Sequence, residues 1–191
     1  MDNLVGIDSL FSTPVANIQL LELVDPVEKL LSSYNYKDFS GNCTISHDVL
    51  TDKLKKAFTK EVQQFLQEYM HIGCEIQMTT SWFTRIWDGQ FLNPHRHCNS
   101  WWSCCFYFEE DCRIQLNDRT YQQMFVIPEK QTLLNAKEVT FEPNVGTMLV
   151  FPSGTEHQIL PHNDKERVRF SLAFNFIPKG KVGYGDSSWV Y

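Results

Sequence analysis

The chain has 191 residues, which is the length of a single domain and enough to bury a hydrophobic core. With 17 Lys and Arg against 23 Asp and Glu its net charge is −6, and this acidic balance argues against a broad nucleic-acid-binding surface. Aromatic residues make up 14% of the chain, which excludes a disordered protein, and no apolar run approaches the roughly 18 residues of a membrane span.

The first part of the chain is predicted to form a short strand and two helices. The strand covers Phe11–Leu20 and is interrupted by a proline. Asp25 and the proline after it are typical of a helix start, with Asp25 as the N-cap, and this helix should run to about Ser33. Over Thr51–Met70 apolar residues recur at helical spacing, and Gly73 is expected to cap the end of this second helix.

Beyond Gly73 apolar residues alternate with polar ones, which is the pattern of half-buried β-strands. The predicted strands cover Ile76–Ile86, Ser100–Phe108, Arg113–Asn117, Val139–Glu142, Gly146–Phe151, His157–Leu160 and Val168–Ile177. Many short strands after a long helix predict a mainly β (α+β) fold, an antiparallel sandwich or barrel with helices packed on one side. We expect one domain over residues 1–191, with helical support at about 20–73, the barrel at about 74–178 and a C-terminal tail at 179–191.

The last predicted strand has two chemically different faces. One face carries five apolar residues: Val168, Phe170, Leu172, Phe174 and Phe176. The other face carries Arg167, Arg169, Ser171, Ala173 and Asn175. In an edge strand such a polar face would be solvated. The alternative is that it lines a polar cavity inside a small barrel.

The spacing of three histidines indicates a candidate metal site. His95 and His97 are two residues apart just before a strand, and in extended backbone such residues point the same way. His157 opens a later strand, so the three imidazoles could form a facial site that leaves coordination positions open for chemistry. The alternative is that they are hydrogen-bonded loop histidines without a metal. The other histidines, His47, His71 and His162, are expected at the surface.

The six cysteines are interpreted as reduced thiols of a cytoplasmic protein. Several lie inside predicted strands, no CxxC pair indicates a zinc knuckle, and Met1–Leu10 has no features of a secretory signal. Other enzyme classes have little support, because the chain has no phosphate-binding glycine loop and no GxSxG motif. Cys98 lies next to His97 in sequence, but a catalytic base is normally supplied from elsewhere in the fold.

Four stretches of the chain form an ordered set of motifs. The longest runs from Trp82 to His97 (WFTRIWDGQFLNPHRH) and continues into Ser100–Phe108. The others are Leu10–Val15 (LFSTPV), Gly146–Ser153 followed by His157, and Arg169–Asn175 (RFSLAFN). Together these stretches resemble a 2-oxoglutarate/Fe(II)-dependent oxygenase family, and the resemblance spans nearly the whole chain.

This resemblance implies a double-stranded β-helix, a jelly-roll barrel whose open mouth holds Fe(II). His95 and His157 match the two histidines of the family's metal triad. His97 stands where most such oxygenases have Asp or Glu. Either the site uses three histidines, or one residue of the pair does not contact the metal and an exogenous ligand completes the coordination. If the ion were not iron, zinc would be the expected occupant.

The resemblance also implies a binding site for 2-oxoglutarate. Arg169 matches the residue that binds the distal carboxylate of this cosubstrate, and Ser171 completes the family's Arg-x-Ser pairing. A guanidinium suits the task because it is permanently charged and binds a carboxylate through two hydrogen bonds. Arg167, on the same face of the strand, is the alternative candidate for binding this carboxylate. Tyr107 resembles an aromatic hydroxyl that helps bind the same carboxylate, with a core tyrosine as the alternative.

The activity implied by the resemblance is that of a 2-oxoglutarate-dependent dioxygenase. Such an enzyme consumes O2 and 2-oxoglutarate, releases succinate and CO2, and hydroxylates a peptide or a small molecule. Two alternatives stay open at this point: a three-histidine metal enzyme of cupin type that does not use 2-oxoglutarate, and a non-catalytic jelly-roll binding module. Neither a nucleic acid nor a membrane is expected as a partner.

Two sequence features bear on substrate and partner. Trp87, Phe91, Trp101 and Trp102 flank the histidine pair, and they either form an aromatic rim that grips the substrate or belong to the core or a dimer contact. The tail Pro178–Tyr191 is expected either to cover the barrel mouth or to pair with another subunit in a homodimer.

Overall fold

The alternating pattern of the second half of the chain becomes a set of antiparallel strands. A computed structural model describes residues 12–87, 89–118, 129–130, 132–161, 167–183 and 185–190. The strands are β1 (Ala16–Gln19), β2 (Phe39–Ser40), β3 (Cys43–Thr44), β4 (Glu75–Ile86), β5 (Leu92–His95), β6 (Trp102–Tyr107), β7 (Ile114–Asn117), β8 (Glu138–Phe141), β9 (Thr147–Pro152), β10 (Glu156–Ile159), β11 (Arg169–Lys179), β12 (Lys181–Val182) and β13 (Trp189–Val190). The α-helices are α1 (Val24–Leu31) and α2 (Asp52–Glu68), and 3₁₀ helices cover Leu21–Leu23, Tyr36–Asp38 and Gly185–Ser187.

Two sheets face each other and enclose the interior of a barrel. Among the described residues the larger sheet has seven strands in the order β1-β9-β6-β11-β4-β3-β2, and the smaller has four in the order β5-β10-β7-β8. Side chains of both sheets meet in the interior, where Ile114 and Leu116 of the smaller sheet pack with Leu149 and Phe151 of the larger one. This arrangement confirms the prediction of a mainly β fold of the double-stranded β-helix, or jelly-roll, type.

Helix α2 covers the outer face of the larger sheet. Four of its residues recur every four positions and form one buried apolar stripe: Leu54, Phe58, Val62 and Leu66. The centroid of the Phe58 ring lies 5.2 Å from that of Phe106 and 4.7 Å from that of Phe174. The helix thus joins the central strands β6 and β11 from outside the barrel.

The beginning of α2 confirms the prediction, and its end does not. The Thr51 side chain accepts a 3.4 Å hydrogen bond from Leu54 N, which caps the helix N-terminus. Gly73 is not the C-terminal cap. The helix ends at Glu68, and the left-handed capping residue is His71, two positions before the glycine, with a φ of 52°. The N–H of Ile72 donates to Leu66 O at 2.8 Å and completes the cap.

The prediction for Asp25 is also wrong. Helix α1 starts at Val24, with Leu23 at the N-cap position and no side-chain cap, because the 3₁₀ helix Leu21–Leu23 runs directly into it. Asp25 lies in the first turn of α1 instead. Its negative charge is still favourable there, since the N-terminal end of a helix carries the positive end of the macrodipole.

The two ends of the chain are arranged differently. In the N-terminal part, β1 pairs with β9 and β3 pairs with β4, so strands before residue 74 extend the larger sheet at both edges. In the C-terminal tail, β12 and β13 form a separate two-stranded hairpin. Within the described ranges, no helix is both long enough and apolar enough to cross a bilayer.

Replacing Phe58 with alanine should lower the free energy of unfolding by about 3–5 kcal/mol, because a fully buried ring would leave a cavity between α2 and the sheet. Urea denaturation followed by circular dichroism measures the loss. Lys56→Ala, on the exposed side of the same helix, should stay within about 0.5 kcal/mol of the wild type. A similarly small effect of Phe58→Ala would contradict the packing described.

Candidate metal centre

The antiparallel register of β5 and β10 places His95 directly opposite His157. Their ring centroids are 4.3 Å apart. His97 follows two residues after His95, and its backbone N–H donates to Ser153 O at 3.1 Å, which fixes this segment against the turn between β9 and β10. The centroid of the His97 ring lies 5.3 Å from that of His95 and 5.0 Å from that of His157. The fold therefore brings together the three histidines that the sequence singled out.

Backbone hydrogen bonds determine which nitrogen is free in two of these rings. Nδ1 of His95 lies 2.8 Å from Asn93 O, and Nδ1 of His157 lies 3.0 Å from Thr155 O. A carbonyl oxygen only accepts, so Nδ1 carries the proton in both rings and Nε2 keeps its lone pair. Histidines that bind metals use their second ring nitrogen in this way, because the hydrogen bond fixes both tautomer and ring orientation.

Burial keeps His97 and His157 uncharged at neutral pH. His157 is 3% exposed, and desolvation lowers its pKa to about 4, with smaller contributions in the same direction from His95 and His97. Burial also lowers the pKa of His97. Since a metal competes with a proton for the imidazole lone pair, neutral rings are the form that binds a metal.

This set of donor atoms fits a divalent transition metal. One ligand nitrogen from each of the three rings lies within 4.8 Å of the others. Imidazole suits iron, zinc, nickel and copper, whereas magnesium and calcium prefer oxygen ligands. In the described part of the chain no carboxylate belongs to this cluster, so a bound ion would keep its full double charge.

His97 is held by side chains, in contrast to His95 and His157. Its Nδ1 lies 2.8 Å from Asn175 Oδ1 on β11 and 3.1 Å from Ser103 Oγ on β6. Ser103 Oγ is in turn 2.8 Å from Asn175 Oδ1 and 2.8 Å from Ser153 Oγ. No local sequence pattern assigns a role to Asn175 or Ser103, although the position of Asn175 on the polar face of the last strand is a signal that could have identified it.

The polar face of β11 points into the barrel. Asn175, near the end of this face, is 6% exposed and contacts His97, and Arg169 at its beginning is 2% exposed. The opposite face of β11 carries Phe174, which packs under α2. Of the two interpretations of this strand, the structure supports a polar face that lines the barrel interior.

Arg169 is a buried charge whose described neighbours provide no ion pair. Its Nη2 donates to Leu160 O at 2.6 Å, and its Nη1 donates to Asp111 O. The ion pairs of the described residues leave Arg169 out, and the carboxylate of Asp111 pairs at 3.4 Å with Arg167 instead. Because a guanidinium has five N–H donors and a buried charge is costly without a counter-ion, Arg169 is suited to bind an anion. Arg167, the fallback candidate, lies at the surface with its side chain 37% exposed.

Tyr107 on the neighbouring strand β6 and Ser171 on β11 itself lie near Arg169. Both are buried, at 4% and 8% exposure, and Ser171 follows Arg169 on the same face of β11. Burial raises the pKa of Tyr107 well above its usual value, while the nearby Arg169 charge acts in the opposite sense. The Tyr107 hydroxyl is therefore protonated at neutral pH and can donate a hydrogen bond to an anion. Tyr107 also packs in the inner core, so both of its predicted roles are compatible with its position.

Trp82 is a neighbour of the cluster whose role no local sequence pattern indicates. It lies on β4, half-buried, with its ring centroid 5.4 Å from that of His97 and 6.3 Å from that of His47. It thus forms a wall of the cluster on the side of the exposed His47. The predictions that His47 and His71 lie at the surface are confirmed, and His162 lies outside the described residues.

The aromatic residues that flank the histidine pair do not form one continuous rim. Trp102 is 3% exposed and belongs to the core, where its ring centroid is 5.6 Å from that of Phe65. Trp101 is half-buried and also packs against this core. Trp87 lies 5.0 Å from the guanidinium of Arg85, and Phe91 is 55% exposed. Trp101 and Trp102, which follow the histidine pair in sequence, therefore belong to the core and not to a substrate-binding rim.

Comparison with known proteins points to the same family that the sequence motifs resemble. The family model described as "Putative 2OG-Fe(II) oxygenase" matches residues 80–175. A search of curated proteins found no match. Similar solved structures include an oxidoreductase of the 2OG-Fe(II) oxygenase family from Burkholderia pseudomallei, with 9% identity, a TM-score of 0.62, and coverage of 85% of this chain and 83% of that one.

Two further similar structures are prolyl hydroxylases. The prolyl-4-hydroxylase of Pseudomonas putida has 16% identity and a TM-score of 0.59, over 87% of this chain and 94% of that one. The viral collagen prolyl hydroxylase of Paramecium Bursaria Chlorella virus-1, in complex with 2OG, has 13% identity and a TM-score of 0.58, over 85% and 94%. These likenesses show a shared fold.

If the three histidines bind a metal, His95→Ala and His157→Ala should each weaken binding of Fe(II) by about tenfold or more, because each removes one nitrogen ligand. Anaerobic isothermal titration calorimetry measures the dissociation constants. His71→Asn is a matched control, since this exposed histidine lies outside the cluster and Asn tolerates its left-handed backbone. Wild-type affinity in both cluster variants would contradict a metal site here.

Proposed function

The chain belongs to the 2OG-Fe(II) oxygenase family and is a 2-oxoglutarate-dependent oxidoreductase, and on that premise we propose that it hydroxylates a peptide or a small molecule with release of succinate and CO2. The observation that carries the proposal is a combination within one barrel. The barrel contains a cluster of three histidines and, on the interior face of β11, a buried arginine outside any ion pair of the described residues. The first fits a transition metal, and the second fits the far carboxylate of the cosubstrate.

In this proposal His95, His97 and His157 hold Fe(II) through their Nε2 atoms. For His95 and His157 the backbone hydrogen bonds at Nδ1 already select the required tautomer. Three protein ligands on one side of an ion leave positions free for other ligands. A site of three neutral imidazoles is one unit more positive than a site of two histidines and a carboxylate, which favours binding of an anionic cosubstrate.

In the same proposal Arg169 anchors 2-oxoglutarate. Its two hydrogen bonds to backbone oxygens fix the direction of the guanidinium and leave donors for a carboxylate. Tyr107 and Ser171 would add hydroxyl groups beside it. Between Ser171 and Asn175 the interior face of β11 carries only the small side chain of Ala173, and the proposal places the chain-like dianion along this stretch of the strand.

The protein residues would orient the reactants and exclude water. When bound, Fe(II) and 2-oxoglutarate together supply the oxidising chemistry that inserts one oxygen atom of O2 into a substrate C–H bond. Phe151 packs against His157 with ring centroids 4.9 Å apart, and Leu149 fills the interior behind it. Such an apolar lining keeps bulk water from the interior side of the cluster.

We propose that the substrate approaches from the side of Trp82 and His47. On this side the cluster is walled by a half-buried ring next to an exposed one. Two of the similar structures are prolyl hydroxylases, so peptides are the first substrates to test and small molecules the second. The proposal further places the protein in the cytoplasm, where a reducing environment would preserve its six unpaired cysteines.

A second candidate function is a three-histidine metal enzyme that does not use 2-oxoglutarate. The absence of a carboxylate from the described cluster favours it. The two candidates differ in one product. A 2-oxoglutarate-dependent hydroxylase releases succinate in step with oxygen consumption, so succinate should form only when Fe(II), 2-oxoglutarate and O2 are all present. Oxygen consumption without succinate would favour the second candidate.

Arg169→Ala should raise the apparent KM for 2-oxoglutarate by about tenfold or more, because a charge-assisted hydrogen-bonded pair is worth about 1.5–3 kcal/mol. Binding of Fe(II) should stay close to that of the wild type. Steady-state succinate release and anaerobic calorimetry measure the two quantities.

Arg167→Ala is the matched control, because it removes the same charge from the surface two residues earlier. Its KM for 2-oxoglutarate should differ from the wild type by less than about threefold, since exposed ion pairs contribute little. An unchanged KM in Arg169→Ala, or equal effects of the two substitutions, would overturn the assignment of Arg169.

A further inference from the structure

The side chains around His97 come from parts of the chain that are far apart in sequence. Asn175 reaches it from β11, and Ser103 reaches it from β6. Behind these, Ser153 contacts Ser103 and Thr80 on β4 contacts the Asn175 amide nitrogen at 3.3 Å. Ser103 and Ser153 are 1% and 0% exposed. The network is therefore buried and joins three strands of the larger sheet to one imidazole.

The hydrogen bonds of Asn175 indicate which of its amide atoms faces His97. Its Nδ2 donates to Thr80 Oγ1, and its Oδ1 is the atom that approaches both Ser103 Oγ and His97 Nδ1. An amide oxygen can only accept, so in this arrangement His97 must carry its proton on Nδ1. The Nε2 lone pair of His97 is then free in the same way as those of the other two rings.

His97 depends on a side-chain hydrogen bond at Nδ1 for its orientation more than the other two histidines do. His95 and His157 each bond to a backbone carbonyl two residues earlier in the chain, so the local backbone itself orients the ring. His97 lies beyond the end of β5, and its Nδ1 bonds to side chains. The tautomer and the orientation of the His97 ring are therefore set by the side chains that contact its Nδ1, which are those of Asn175 and Ser103.

We propose that Asn175, assisted by Ser103, is the positioning residue that makes His97 the third metal ligand. The inference rests on the proposed function, because it concerns the same metal site. Asn175 holds the His97 ring in the Nδ1–H tautomer and in a fixed orientation, and the ring thereby occupies the position that a carboxylate would otherwise fill. Asn175 does not itself touch the metal or the substrate.

The test compares acceptor and non-acceptor side chains at position 175. Asn175→Leu keeps a similar volume but removes the acceptor, and Ser103→Ala removes the second contact. Asn175→Asp restores an oxygen that accepts from Nδ1–H and is the rescuing variant. Thr84→Val is the matched control, since it removes a hydroxyl that is 2% exposed on β4 and lies outside the network.

Two readouts are measured on the full chain. Nitrogen-15 NMR of the imidazoles in the metal-free protein reports which nitrogen of His97 is protonated. Anaerobic calorimetry with Fe(II) reports the dissociation constant. We expect Nδ1–H in the wild type, in Asn175→Asp and in Thr84→Val, and loss of this preference in Asn175→Leu combined with Ser103→Ala. The dissociation constant should rise by about 10–100-fold in Asn175→Leu and stay near the wild-type value in Asn175→Asp and Thr84→Val.

The outcomes separate this inference from the proposed function. If the wild type binds Fe(II) and releases succinate but Asn175→Leu binds the metal equally well, the positioning role is wrong and the function stands. An Nε2–H tautomer of His97 in the metal-free wild type overturns the positioning role without any metal measurement. If the wild type does not bind Fe(II) at all, both are overturned. Should Asn175→Leu fail to fold, the tautomer in the wild type and the affinity of Ser103→Ala decide the question.

Discussion

Strand β11 has to satisfy two opposite environments along its length. One face, with Phe170, Leu172, Phe174 and Phe176, is buried against the outer core that α2 completes. The other face carries Arg169, Ser171 and Asn175 into the barrel. Because side chains alternate strictly along a strand, a shift of the register by one residue would turn the arginine into the apolar core and the phenylalanines into the site. The apolar contacts under α2 therefore fix the positions of the polar groups inside.

The neighbours of β11 extend this constraint to the histidines. Pairing of Asn175 with Ser103 on β6 and with Thr80 on β4 places two polar side chains beside the asparagine. His97 meets that group only because its backbone is held by Ser153 at the turn after β9. The smaller sheet contributes the other two rings through the direct pairing of His95 with His157. The candidate centre thus forms where the two sheets meet, and it depends on the register of both.

The charge distribution inside the barrel differs from that of the whole chain. The chain has a net charge of −6, yet the described interior carries the buried guanidinium of Arg169 and the uncharged imidazoles of His97 and His157. Desolvation lowers the pKa values of His97 and His157 and so keeps them uncharged without help from a carboxylate. A metal ion and Arg169 would then be the two positive ends of a site, which matches a ligand with a negative charge at each end.

Much of this arrangement can be predicted from the sequence, for identifiable reasons. The long strands and α2 have clear periods of two and of 3.6, and His95, His97 and His157 lie at the edges of such segments. The two-residue strands β2 and β3 are too short to show a period, and β5 contains a proline that hides it. The cap at His71 was missed because glycine is the usual residue in that backbone conformation. The contact of Asn175 with His97 joins residues 78 positions apart, and a local pattern does not report such a distance.

The binding of Fe(II) by the histidines and of 2-oxoglutarate beside them, within one barrel, is the proposed property on which all the others depend. Its most direct test is an anaerobic titration of the metal-free protein with Fe(II) and then with 2-oxoglutarate, followed by visible absorption. We expect a metal-to-ligand charge-transfer band that appears only when both are present and that is absent from His157→Ala. Binding of Fe(II) without any band after addition of 2-oxoglutarate would contradict it.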